Sequence, residues 1–140
     1  MPHQLSAEDR QFITALETGA LTPEQFNHRA HVRAAYVYLA AADVDDAVQR
    51  MRDALLGFLR HHGVPASKYH ETITKAWVLA VRHFMERTPA SRSADHFIDA
   101  NPLLLDSKIM MTHYSAELLF SPEARAAFRE PDQSPIPRYD

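Results

Sequence analysis

The sequence predicts an all-α protein, a single-domain helical bundle of four principal helices followed by short C-terminal helices. Glycine occurs only three times in 140 residues, alternating β-branched stretches are almost absent, and helix-capping side chains precede the apolar segments. A hydrophobic content of 46% over this length is sufficient for one sizeable core. We therefore expect one domain over residues 1–130 and a proline-rich C-terminal arm over residues 131–140.

The first two helices have explicit start signals. Ser6 can cap a helix that Gly19 is placed to end. A second helix is predicted to begin at Thr22 as the N-cap, with Pro23 as its first helical residue. Gln25 completes a capping box, in which the side chains of the cap and of the third helical residue each bond the other's backbone N–H.

The third and fourth helices follow in the same way. We expect the second helix to end near Ala42, because Asp43 can cap a strongly amphipathic third helix that stops at Gly63. Ser67 is the predicted N-cap of a fourth helix that runs to about Arg87, where Thr-Pro follows. Its apolar arc is wide, as expected for a central helix.

Shorter elements are predicted beyond the fourth helix. Residues 93–100 form one short helix, residues 103–111 are apolar but ambiguous in type, and Ser121 opens a last short helix. The arm that follows should be extended, and it will be ordered only if Ile136 and Tyr139 dock on the domain.

Charge and composition exclude several classes of function. A net charge of -3 with interspersed signs provides neither a basic stripe for nucleic acid nor a polybasic run for anionic lipid. The absence of cysteine excludes disulfides and thiolate metal sites. The start MPHQLSAEDRQF has no basic segment followed by an apolar run, and no stretch is long enough to cross a membrane. We therefore expect a cytoplasmic protein without nucleic acid or membrane partners.

Two histidines lie three residues apart in the segment FNHRAHVRAAYVYLA. At about 100° per residue, His28 and His31 both fall on the helix stripe that should face the core. His70 points inward on the predicted fourth helix by the same argument. If the second and fourth helices pack side by side, these three imidazoles are candidate ligands for one divalent metal, such as zinc, iron, manganese or nickel.

Four residues are candidates for acid-base catalysis. His70 and Glu71 occupy the start of the fourth helix, and His113 and Tyr114 stand in the polar and apolar mixture DSKIMMTHYSAE. A histidine near neutral pH can transfer protons, and a tyrosine can hold a developing oxyanion. For Glu71 an ordinary surface ion pair with Lys75, four residues later, is the stronger interpretation.

Three cations are candidates for holding a cofactor or an anionic group of a ligand. Arg29 and Arg33 flank the histidine stripe, and Lys108 lies beside His113 in sequence. Arginine can grip a carboxylate or a phosphate with two parallel hydrogen bonds. Arginines on helix flanks are more often simply solvated.

These patterns support two functional hypotheses. The first is a small cytoplasmic enzyme or ligand-binding protein that uses an interior histidine pocket, with or without a metal, on a small polar molecule. The second is a non-catalytic helical interaction module, for dimerisation or partner binding, whose core histidines are satisfied by ordinary hydrogen bonds. Either is compatible with a homodimer, and the polar stretches are typical of signature positions in a small bacterial α-helical family, without identifying one.

Overall fold

The computed structural model describes residues 2–139, and this part of the chain contains α-helices and 3₁₀ turns but no strand. The all-α prediction is therefore confirmed. The α-helices are α1 (Ala7–Thr18), α2 (His28–Ala41), α3 (Val44–His61), α4 (Glu71–Glu86), α5 (Ala94–Ala100), α6 (Ala116–Leu119) and α7 (Pro122–Ala126). The 3₁₀ turns are Ala66–Lys68, Pro102–Leu105 and Ser107–Thr112.

The predicted ends of α1 and the start of α3 are confirmed. Ser6 and Asp9 form a reciprocal capping box at the start of α1. Gly19 ends α1 in the left-handed conformation with φ of 79°, and a Cβ there would lie 2.3 Å from the ring of His61. Both the backbone angle and the close approach therefore require glycine. Asp43 accepts the backbone N–H of Asp46 and caps α3.

The predicted start of the second helix at Thr22 is wrong. Thr22 and Gln25 do bond each other's backbone N–H groups, at 2.9 and 3.3 Å, but they close only a single turn. Asn27 then adopts an extended conformation, and its side chain accepts the N–H of Ala30 at 3.0 Å. Because asparagine is among the most favourable N-cap residues, the helix starts after Asn27 and not after Thr22, and α2 begins at His28.

The predicted start of the fourth helix at Ser67 is also wrong. Ser67 lies inside the 3₁₀ turn Ala66–Lys68, and α4 begins three residues later than predicted, at Glu71. The imidazole of His70 supplies the cap, because its Nδ1 accepts the backbone N–H of Ile73 at 3.1 Å. The predicted end at Arg87 is confirmed.

The core lies where α2, α3 and α4 pack against one another in pairs, and α1 packs on α2 and α3. Both long central helices bury most of their length, which explains their wide apolar arcs. Complete burial of one large apolar side chain contributes about 1.5–3 kcal/mol. The largest fully buried aliphatic and aromatic side chains include Tyr36, Tyr114, Phe97, Leu16, Met51 and Ile98.

The C-terminal arm docks on the domain. The side chain of Ile136 is buried, and the hydroxyl of Tyr139 hydrogen-bonds Nδ1 of His83 at 2.8 Å. The backbone N–H of Gln133 donates to the carbonyl of His113 at 3.0 Å. The two side chains that were predicted to decide whether the arm is ordered therefore both contact the helical domain.

None of the helices in residues 2–139 combines the length and the apolar composition that a bilayer crossing requires.

Candidate ligand-binding pocket

A cavity of about 380 Å³ opens between α2, α3, α4 and the segment that joins α6 to α7. We call it the His31 pocket. Its apolar walls are formed by Phe26, Leu55, Phe58, Leu59, Ile73 and Phe120. Its polar lining is formed by His31, Lys68, Tyr69, His70, Thr74 and Arg125. No aspartate or glutamate is among the described residues that line it.

The imidazole of His31 is a polar group of the pocket that has no hydrogen-bond partner within residues 2–139. It is the fourth residue of α2, and its ring meets the ring of Phe26 edge to face, with 6.0 Å between centroids. Among residues 2–139, no group forms a hydrogen bond with its imidazole, while its backbone N–H bonds Asn27. Burial, with a smaller contribution from neighbouring His28, lowers the pKa of His31 to about 4. The ring is therefore neutral near pH 7 and presents one N–H donor and one lone pair.

His70 also lines the pocket, but both of its ring nitrogens are already bonded. Nδ1 accepts the N–H of Ile73 at 3.1 Å, and Nε2 lies 2.7 Å from the carbonyl oxygen of Leu119. Because a carbonyl only accepts, Nε2 carries the proton and the imidazole is neutral. Burial lowers the pKa of His70, consistent with that form. His70, predicted as a metal ligand and as a catalytic residue, therefore has no unbonded ring lone pair in this arrangement.

His28 lies outside the pocket lining. Its Nε2 is 2.9 Å from the carbonyl oxygen of Leu104, and its ring meets Trp77 edge to face at 4.6 Å between centroids. It thus joins α2 to the 3₁₀ turn Pro102–Leu105. No group of three histidine, aspartate or glutamate side chains in residues 2–139 is placed to hold one ion. The predicted metal set of His28, His31 and His70 is therefore not assembled.

Glu71 forms an interhelical ion pair behind the pocket. It accepts two hydrogen bonds from Arg52 on α3 and one from the hydroxyl of Tyr69 at 2.6 Å. Chiefly because of the Arg52 hydrogen bond, the pKa of the Glu71 carboxyl is lowered. The expected pair with Lys75 is replaced, since the Lys75 ammonium lies 4.5 Å from the ring centroid of Phe128. Arg52 had no sequence signal, because its partner is on another helix.

His113 and Tyr114 hold the C-terminal arm and do not line the His31 pocket. Nδ1 of His113 is 2.6 Å from the carbonyl oxygen of Ser134. The hydroxyl of fully buried Tyr114 donates to the carbonyl of Arg129 at 2.6 Å, and burial raises the pKa of Tyr114. In the structure, both residues that were predicted to be catalytic hold the C-terminal segment against the helical domain.

None of the three cations that were predicted to hold a cofactor or an anionic ligand group lines the His31 pocket. Arg29 pairs with Asp95 at 3.0 Å, and Arg33 pairs with buried Asp9 at 3.1 Å. These two arginines line a separate cavity of about 240 Å³ on the α1 side of the fold. The side chain of Lys108 is exposed and lines neither cavity.

Two other cations, Lys68 and Arg125, stand at the exposed side of the His31 pocket, which we call its mouth. Nη1 of Arg125 lies 3.3 Å from the carbonyl oxygens of Ser67 and Lys68. Within residues 2–139 neither cation forms an ion pair with a carboxylate. Sequence reasoning missed both because they come from a 3₁₀ turn and from α7, which are distant in the chain.

Comparison with protein-family models, with curated proteins and with solved structures finds no match.

Proposed function

We propose that this protein binds a small molecule with a mainly apolar body in the His31 pocket. The observation that carries the proposal is the imidazole of His31, which lines the cavity without a hydrogen-bond partner in the described chain. No fully buried side-chain nitrogen or oxygen within residues 2–139 lacks a partner, so the unbonded ring nitrogens of half-buried His31 are accessible from the cavity. A hydrogen bond from a ligand to this ring contributes about 0.5–1.5 kcal/mol.

The shape and composition of the cavity support a small ligand. Its volume of about 380 Å³ lies at the lower end of the range of roughly 300–1,000 Å³ that is typical of small-molecule sites. Six apolar side chains supply most of the contact, and burying ligand surface against them contributes about 25 cal/mol per Å². The walls thus provide affinity, and His31 fixes the orientation of one polar ligand group.

Binding, and not a metal-dependent reaction, is the function that the side chains support best. Both ring nitrogens of His70 are bonded, His28 lies outside the pocket, and no three potential ligands within residues 2–139 are placed to hold one ion. One imidazole can bond a ligand hydroxyl, amide or carbonyl whichever of its nitrogens carries the proton.

The test is a thermal-shift screen with small alcohols, amides and acids that carry an aromatic or medium-chain apolar body. A ligand at about 100 times its Kd stabilises a fold by about 2.7 kcal/mol, which raises Tm by several degrees. We expect at least one such compound to stabilise the wild type, and His31→Leu to abolish that shift. His96→Leu is the matched control, because His96 is exposed and outside the pocket.

Two results would contradict the proposal. In the first, no compound stabilises the wild type at millimolar concentration. In the second, His31→Leu and the wild type respond equally, so that the stabilising compound binds elsewhere. His31→Leu should itself fold, because it removes no hydrogen bond found within residues 2–139 and replaces a ring that contacts Phe26.

A further inference from the structure

The charges around the His31 pocket have one sign. Lys68 and Arg125 are the only charged side chains among the described residues that line it, and both are positive. The whole chain, in contrast, carries a net charge of -3. Two cations that pair with no carboxylate within residues 2–139, at the opening of an apolar cavity, favour an anion there, because the apolar walls strengthen the local field.

Lys68 and Arg125 occupy the same side of the mouth. The Lys68 carbonyl oxygen accepts from Nη1 of Arg125 at 3.3 Å, which places α7 against the 3₁₀ turn Ala66–Lys68. The other carbonyl contacts of Arg125 also use Nη1. Its Nε and Nη2 groups, and the Lys68 ammonium, therefore have no hydrogen-bond partner within residues 2–139. No protein group within residues 2–139 occupies these donors, so they can bond a ligand.

We propose that the ligand of the His31 pocket is a small monocarboxylate, whose carboxylate lies between Lys68 and Arg125 and whose mainly apolar body enters the cavity, where one neutral polar group of that body bonds His31. This inference rests on the proposed function, since it names the chemical class of the same ligand. The guanidinium of arginine fits a carboxylate with two parallel hydrogen bonds. The exposed position of both cations leaves the carboxylate near water, while the half-buried His31 meets the ligand body further inside.

A monoanion fits better than a multiply charged group. The remainder of the lining is apolar or neutral, with Tyr69, His70 and Thr74 all engaged in hydrogen bonds to protein atoms. A second negative charge on the ligand body would therefore lose its hydration without gaining donors.

The experiment compares acids with their primary amides. The probes are 8-hydroxyoctanoate with 8-hydroxyoctanamide and 3-(4-hydroxyphenyl)propanoate with its primary amide, so that each body carries one hydroxyl for His31, and binding is measured by titration calorimetry on the full chain. We expect each acid to bind the wild type about fivefold to tenfold more tightly than its amide, since exposed ion pairs contribute modestly. The Lys68→Gln/Arg125→Gln variant should reduce this ratio to nearly one by weakening the acids alone. Lys108→Gln, which alters an exposed lysine outside the pocket, should leave the ratio unchanged.

The outcomes separate this inference from the proposed function. Equal binding of acid and amide to the wild type, abolished in both cases by His31→Leu, would overturn the carboxylate assignment and leave the proposed pocket intact. Binding of neither probe would contradict both. An acid preference that survives in the double variant would show that Lys68 and Arg125 do not recognise the carboxylate. Arg125 also donates hydrogen bonds to backbone carbonyls, so its replacement can disturb the local fold. Lys68→Gln alone is therefore a second variant, which should lower the ratio of acid to amide affinity without affecting the fold.

Discussion

His70 and Leu119 join the start of α4 to the end of α6 through one hydrogen bond, 2.7 Å from Nε2 of His70 to the carbonyl oxygen of Leu119. The other ring nitrogen caps α4 at Ile73. One neutral imidazole thus closes two helix ends that are distant in sequence. His70 therefore lines the His31 pocket while both of its ring nitrogens are bonded to protein groups.

Replacement of His70 should therefore destabilise the fold. We expect His70→Ala to cost about 2–4 kcal/mol, because it removes an N-cap and leaves a buried carbonyl without a donor. His70→Asn should recover about 1 kcal/mol, since asparagine is a good N-cap. Urea denaturation measures both. A catalytic histidine would behave differently, with His70→Ala retaining wild-type stability while losing an activity.

The Arg52–Glu71 pair offers a second test of a structural role. Glu71→Gln should lower the free energy of unfolding at pH 7 by about 1–2 kcal/mol, because Arg52 loses its charged partner while both side chains remain partly exposed. The lowered pKa of Glu71 means that this contribution is present above the pKa of the unfolded carboxyl and is lost as pH falls through its folded pKa. Equal stability of Glu71→Gln and wild type from pH 7 to pH 3 would contradict this role.

The parts of the fold that were predictable from sequence are those that depend on local chemistry. Ser6, Gly19 and Asp43 were correctly placed because a cap or a left-handed end is decided within one helical turn. Thr22 and Ser67 carry the same local signal without starting the long helices. There the chain had a second cap available a few residues later, and packing selected that one.

The candidate site was predictable only in part. Inward facing of His31 follows from helical periodicity, and His31 lines the pocket. His70 lines it too, but as the extended N-cap that precedes α4 and not as a helical residue. Its hydrogen-bond partners do not follow from periodicity, because Leu119 lies 49 residues from His70 in the chain. The mouth cations Lys68 and Arg125 were missed for the same reason. A pattern along one helix contains no information on which side chains or carbonyl groups of another element contact it.

The C-terminal arm should contribute measurable stability. Ile136→Ala is expected to cost about 2–4 kcal/mol, since Ile136 is buried against the core. Tyr139→Phe should cost about 0.5–1.5 kcal/mol, because it removes the hydrogen bond to His83 and keeps the ring. Chemical denaturation of both variants checks the values. Gln133→Ala, in the same arm and with an exposed side chain, is the control and should change stability by less than about 0.5 kcal/mol.

Transition metals should not stabilise the protein strongly. No three histidine, aspartate or glutamate side chains within residues 2–139 are placed to hold one ion, and both ring nitrogens of His70 are bonded, so zinc, manganese, iron or nickel should bind only weakly. We expect less than about 1 °C of change in Tm on adding equimolar metal to a protein purified without a histidine tag. Stoichiometric zinc in elemental analysis, lost in His31→Leu and His28→Leu alike, would restore the three-histidine metal site.

The lowered pKa of His31 predicts a specific loss of stability in acid. The pKa is about 4 in the folded protein and near 6.5 in an unfolded chain, so between these values the unfolded state binds the additional proton. The free energy of unfolding therefore rises with pH across this window. The stabilising contribution of neutral His31 is lost as pH falls from 6.5 towards 4. From pH 7 to pH 4.5 the contribution of His31 amounts to roughly 2 kcal/mol.

Comparison with His31→Leu isolates this contribution from that of other titrating groups, such as Glu71. The wild type should lose roughly 2 kcal/mol more than His31→Leu between pH 7 and pH 4.5, whereas His96→Gln should behave as the wild type. Denaturation curves at both pH values provide the difference, and an NMR titration of the His31 ring measures its pKa directly. A ring that titrates near 6.5, with parallel stability profiles for the wild type and His31→Leu, would mean that water reaches this imidazole freely and that the pocket does not bury it.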